Sequence, residues 1–116
     1  MCCPVGPYYK TGFAPVRLMC ETEAARSWTK GTGDKKLGCN YGPTVKYSER
    51  IQELGYQQVM WLTDDKWVSE VGSMNIFFFW KNKDGEKELV TPVLDGSILP
   101  GITRDSVLVL YSSFPS

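Results

Sequence analysis

Histidine is missing from this chain of 116 residues. Without it, neither a Ser-His-Asp nor a Cys-His nucleophilic device can be assembled within the chain. Acid–base work near neutral pH falls instead to a lysine, a carboxylate, a tyrosine or a bound cofactor. An excess of charge is missing too, because 13 Lys and Arg balance 13 Asp and Glu. No net field draws the chain to nucleic acid or anionic lipid, and neither is expected as a partner. No apolar run has the length of a membrane span, and the longest, Ile76 to Trp80, is strand length. The opening Met1-Cys2-Cys3-Pro4 is neither a basic leader nor an apolar signal core, so no targeting segment is read. The pattern G-x-x-x-x-G-K-[ST] is absent, which removes a Walker-type phosphate site. The cysteines at 2, 3, 20 and 39 lack C-x-x-C spacing, and with no histidine a zinc site is not expected. Adjacent Cys2 and Cys3 argue against a disulfide framework, so free thiols in a reducing compartment are the expectation.

What remains has the length of one small domain and ordinary composition, 42% hydrophobic and 22% charged. Pro4, Gly6, Pro7 and Gly12 mark a loop or linker. Residues 15–22 alternate as a strand, with Val16, Leu18 and Cys20 on one face and Arg17, Met19 and Glu21 on the other. A short helical turn is expected over 23–28, then a loop dense in glycine and charge. A helix is predicted over 44–54, burying Val45, Ile51 and Leu54 and stopping at Gly55. Strands are predicted over 57–62, 67–71 and 74–81, the last one buried and aromatic, with Asp64-Asp65 turning between the first two. Asp84-Gly85 signals a hairpin returning over 88–91. Asp95-Gly96 marks a turn, and a helix is expected over 103–111 after Pro100-Gly101. Hairpin-joined strands with two helices read as α+β.

Three stretches carry possible chemistry. The loop GTGDKKLGCNYG at 31–42 is either a charged surface loop or a lysine held close to a ligand-approaching backbone. In SEVGSMN at 69–75, Glu70 is either a solvated turn carboxylate or one aimed into a site. In LPGITR at 99–104, the helix start is either ordinary or ready to hold an anion on its free N–H groups.

Taken together, KLGCNYG at 36–42, SEVGSMN at 69–75 and LDGSILPGITR at 94–104 resemble three blocks of the branched-chain aminotransferases, members of the fold-type IV (D-amino acid aminotransferase-like) pyridoxal phosphate enzymes. GYQQVMWL at 55–62 and the stretch from Asp84 to Pro92 are also similar, in matching order. The resemblance implies pyridoxal 5′-phosphate as cofactor. It implies branched-chain amino acids and 2-oxo acids as substrates, a homodimer, and a cytoplasmic or mitochondrial home. It assigns Lys36, not Lys35, as the Schiff-base and catalytic lysine. Tyr41 would bond the cofactor's phenolic oxygen and border the substrate. Glu70 would pair with the pyridine nitrogen, and Ser73 would line the substrate side. The backbone amides of Ile102 and Thr103 would hold the phosphate.

By that resemblance the chain is a piece: residues 1–13 an interdomain linker or loop, 14–110 part of the large C-terminal cofactor domain, and 111–116 a divergent tail. The small N-terminal domain and the later large-domain segments have no counterpart. Little activity is expected of such a piece alone. The alternatives are a D-amino acid aminotransferase, an aminodeoxychorismate lyase, or a non-catalytic partner of a complete subunit.

Overall fold

The strand with the strictest alternation becomes the centre of the fold. In the computed structural model, which describes residues 2–7, 12, 14–63 and 67–113, β2 spans Gln58–Thr63 and buries every second residue, Val59, Trp61 and Thr63. β1 (Leu18–Glu21) lies parallel to it, pairing Leu18 with Gln58 and Glu21 with Trp61. β3 (Trp67–Val71) lies antiparallel on the other side, with a register break between Met60 and Leu62. The sheet order is therefore β1-β2-β3.

A parallel pair needs a crossover long enough to return the chain to the same end of the sheet. Here it contains two single-turn 3-10 helices, Gly38–Asn40 and Gly42–Thr44, and then α1, Val45–Glu53. Ile51 of α1 packs on Val59 and Trp61, with Met19, Tyr47 and Tyr56 around them. Tyr47 and Ile51 are four apart and share a helix face. The Tyr47 ring meets Trp61 edge-on, with centroids 6.3 Å apart. Burying each of these large side chains contributes about 1.5–3 kcal/mol.

β4 (Phe78–Lys81) and β5 (Lys87–Val90) form a separate antiparallel hairpin. Asn82 builds its turn, because Asn82 Oδ1 accepts the N–H groups of Asp84 at 3.0 Å and Glu86 at 2.9 Å. Gly85 supplies the left-handed φ of 83° that the turn requires. α2 spans Ile102–Ser113. Arg104, buried in its first turn, donates from Nη2 to the Pro92 carbonyl at 2.9 Å and ties the helix to the strand-to-helix loop.

Several expectations need correction. Residues 23–28 form bends rather than a helical turn, because Arg26 and Ser27 are both buried and spend their polar atoms on distant loops. Val45 and Leu54 are exposed. Val45 lies off the Tyr47–Ile51 face, and Leu54 falls past the helix end where Gly55 turns the chain with φ 81°. The predicted strand 74–81 begins only at Phe78, since Met74 bridges back to Val71 in a tight turn. Its aromatics are not buried either: Phe79 is 64% and Trp80 48% exposed. The β1 face that turns inward carries Met19 and Glu21. The expected Asp64-Asp65 turn lies outside the described residues, as do 8–11, Phe13 and 114–116. Four cysteines are free and exposed, and among the described residues no helix is long and apolar enough to cross a membrane.

Candidate functional site

Glu70 anchors the site. It sits near the end of β3, only 1% exposed. Its Oε1 accepts the Leu99 backbone N–H at 2.8 Å and the Asn75 side-chain amide at 3.3 Å. Its Oε2 lies 3.2 Å from Arg26 Nε, an ion pair whose N–H is not aligned for a hydrogen bond. Burial pushes the Glu70 carboxyl above the ordinary 4.5, against the downward pull of the Leu99 N–H, of Arg26 and of Lys36. The segment 69–75 and the segment 94–101 are thus drawn together around one carboxylate. Asn75 reinforces the junction by donating to the Leu99 carbonyl at 2.9 Å. A Cβ on Gly101 would lie 2.1 Å from Asn75 Oδ1, so a side chain there would have to displace the Asn75 amide.

The third wall is the glycine-rich loop. Asn40 is buried and staples it by donating to the carbonyls of Thr32 at 2.6 Å and Lys35 at 2.8 Å. Thr32 returns a bond to Asn40 Oδ1 at 2.9 Å. Gly33 presses on the 94–101 segment, where an added Cβ would stand 2.1 Å from the Ser97 carbonyl oxygen. Ser27 Oγ donates to that same carbonyl. Asp95 fixes Ser97 in turn, accepting its N–H at 2.9 Å and its hydroxyl at 2.6 Å. These bonds, the Ser97 hydroxyl foremost, hold the Asp95 carboxyl below its usual range.

The two lysines of this loop have different surroundings. Lys35 pairs with its neighbour Asp34. Lys36 places Nζ 5.7 Å from the Tyr41 ring centroid and near enough to Glu70 for its charge to act there. The Tyr41 hydroxyl is buried and has no hydrogen-bond partner among the described residues. Lys36, Tyr41 and Glu70, singled out from three separate motifs, therefore share one region.

The other predicted residues stand differently. Ser73 is exposed in the Val71–Met74 turn, and no hydrogen bond joins it to the cluster among the described residues. Ile102 is 86% exposed and Thr103 is exposed, both in the first turn of α2, where N–H groups lack helical partners. They connect to the cluster through Leu99 and Gly101. Asp105 also occupies that first turn and offers its own negative charge there. Arg26, Asn75, Ser97 and Leu99 were not singled out in the sequence. Asn75 closes the SEVGSMN block, which was a usable signal; a lone arginine between alanine and serine gave none. A groove of about 310 Å³ beside Thr63, Trp67, Val93 and Asp95 contains neither Lys36, Tyr41 nor Glu70.

Comparison with known proteins gives a consistent picture. The profile of the family "Amino-transferase class IV" matches residues 8–114. The mitochondrial branched-chain-amino-acid aminotransferase of Schizosaccharomyces pombe is 53% identical over 90% of this chain and 25% of its own length. A branched-chain-amino-acid aminotransferase of Dictyostelium discoideum is 54% identical over 92% of this chain and 28% of its own length. The cytosolic one of Saccharomyces cerevisiae is 55% identical over 95% of this chain and 30% of its own length. The chain thus spans about a quarter to a third of the relatives it matches. It belongs to the class IV aminotransferase family.

Proposed function

We propose that this chain carries the cofactor-anchoring part of a branched-chain-amino-acid aminotransferase of fold type IV, using pyridoxal 5′-phosphate. The complete protein would move an amino group between leucine, isoleucine or valine and 2-oxoglutarate, as a homodimer. The relatives named as branched-chain aminotransferases include mitochondrial and cytosolic forms, and one of those two compartments is the expectation here.

The observation that carries this reading is the convergence of a lysine, an unpartnered buried phenol and a buried carboxylate. The donor set suits the cofactor. The orphaned Tyr41 hydroxyl needs a polar partner, and a phenolic oxygen is one. Glu70 accepts two hydrogen bonds on Oε1, and a carboxylate has about four acceptor positions, so it can take a ring N–H as well. The first turn of α2, with the Ile102 and Thr103 amides, would hold the phosphate.

When bound, the cofactor supplies an aldehyde for the amino group and a ring that accepts electrons. The rest is the work of this chain's residues. The Lys36 amine would anchor the cofactor and, once released, carry a proton from the substrate's α-carbon to the cofactor's C4′ carbon. Glu70 would keep the ring nitrogen protonated, and Tyr41 would orient the phenolic oxygen. Ser73 would offer a hydroxyl to the substrate side. The experiment is an amino-donor screen of the complete protein with pyridoxal phosphate and 2-oxoglutarate. Leucine, isoleucine and valine should be the best donors. A preference for D-alanine, or lyase activity on aminodeoxychorismate, would replace this assignment.

A further inference from the structure

Arg26 lies outside every motif, yet its buried guanidinium reaches several parts of the site. Its Nε stands 3.2 Å from Glu70 Oε2, with both side chains almost fully enclosed. Its Nη1 donates to the Ser97 carbonyl at 3.4 Å and to Ser27 Oγ at 3.3 Å. Its Nη2 donates to the Gly33 carbonyl at 3.5 Å. Its Cζ lies 5.5 Å from the centroid of the Tyr41 ring. One planar group thus joins the carboxylate, the phenol, the lysine-bearing loop and the 94–101 segment.

We propose that Arg26 is a positioning residue of the cofactor site, holding Glu70 ionised and aimed, and Tyr41 in place, without itself meeting the cofactor. This rests on the reading of Glu70 and Tyr41 as cofactor contacts. A buried carboxylate is stable as an anion only with a charge partner and hydrogen bonds. Among the described residues, the charged groups that face Glu70 are Arg26 and Lys36; Asn75 and the Leu99 N–H are neutral donors. Lys36 is committed to the cofactor once it is bound, which leaves Arg26 as the standing counter-ion. A lysine at position 26 would keep the charge and lose the fork that spans Gly33, Ser97 and Glu70.

The test uses the complete protein that carries this segment, as Arg26→Gln, Arg26→Lys and Glu70→Gln. The Glu70 carboxyl is followed by carbon-13 NMR in cofactor-free protein. Cofactor affinity and the nitrogen-15 resonance of the ring nitrogen are read in loaded protein. Arg26→Gln should make Glu70 titrate at least about one pH unit higher and weaken cofactor binding about tenfold. It should also shift the ring-nitrogen resonance toward the unprotonated form. Arg26→Lys should fall between the two, and it stands alone as the test if the glutamine variant does not fold. An unchanged Glu70 titration in either folded variant overturns the proposal. If Glu70 titration moves but the ring-nitrogen resonance is unaffected even in Glu70→Gln, the cofactor reading itself fails, and the positioning role falls with it.

Discussion

Substituting Gly33 by alanine is a sharp test of how the site is built. The added Cβ would stand 2.1 Å from the Ser97 carbonyl oxygen, 2.5 Å from its carbon and 2.7 Å from Ser27 Cβ. Ordinary contact begins near 3.4 Å, so the loop and the 94–101 segment must separate by about 1.3 Å. Two of the three near atoms are backbone, and no side-chain rotation relieves the clash. The separation strains the bonds that Arg26 makes to Gly33 and Ser97, and the one from Ser27 to Ser97. Overpacking typically costs about 1–3 kcal/mol, and weakened hydrogen bonds from a charged donor add to it. A loss of about 2–4 kcal/mol follows, with weaker cofactor binding because the loop carries Lys36 and Tyr41. The control is Gly38→Ala in the same loop, where nothing lies within 4 Å of the added carbon. Its φ is not in the left-handed region, so the change should be neutral or stabilising by up to about 1 kcal/mol. Urea denaturation of the complete protein, with both variants beside wild type, reads the difference. Equal midpoints for Gly33→Ala and Gly38→Ala would refute the close approach.

Three further outcomes are expected. In cofactor-free protein, Glu70 has a raised folded pKa, so its contribution to stability is fully present below the ordinary 4.5 and is lost as pH rises through the raised value; Glu70→Gln should therefore gain stability relative to wild type as pH rises over that window, and a pH-independent difference would count against the burial. Asn75→Ala leaves the Leu99 carbonyl without its side-chain donor and should cost about 1–3 kcal/mol, which a denaturation midpoint measures; an unchanged midpoint would mean that Asn75 does not brace the junction. Residues 1–116 expressed alone with pyridoxal phosphate should show little turnover of leucine, because Lys36 and Ser73 stand exposed and water is not kept from the reacting atoms; turnover matching an intact relative would contradict this.

Much of the fold was legible because local signals were strong. The alternation in 57–62, the Asp84-Gly85 turn and the Pro100-Gly101 helix entry all appear where patterning placed them, within a residue or two. The parallel pairing of β1 with β2 was not legible, since a crossover is a long-range choice that no local pattern encodes. Patterning alone read Phe79 and Trp80 into a buried strand, and they are exposed here, because hydropathy reports what a strand prefers and not what covers it. In the candidate site, the motifs pointed to Lys36, Tyr41 and Glu70, and the structure brings these three into one region. Arg26 was not readable, because a buried arginine is chosen by partners at Gly33, Glu70 and Ser97, up to 71 residues away.

The most direct test of the central claim is where the cofactor attaches. Lys35 and Lys36 are adjacent, but Lys35 pairs with Asp34 while Lys36 faces Tyr41 and Glu70. The complete protein is loaded with pyridoxal phosphate, reduced with borohydride, digested and mapped by mass spectrometry. Label on Lys36 is the expected result. Label on Lys35, or on neither lysine, would contradict the assignment.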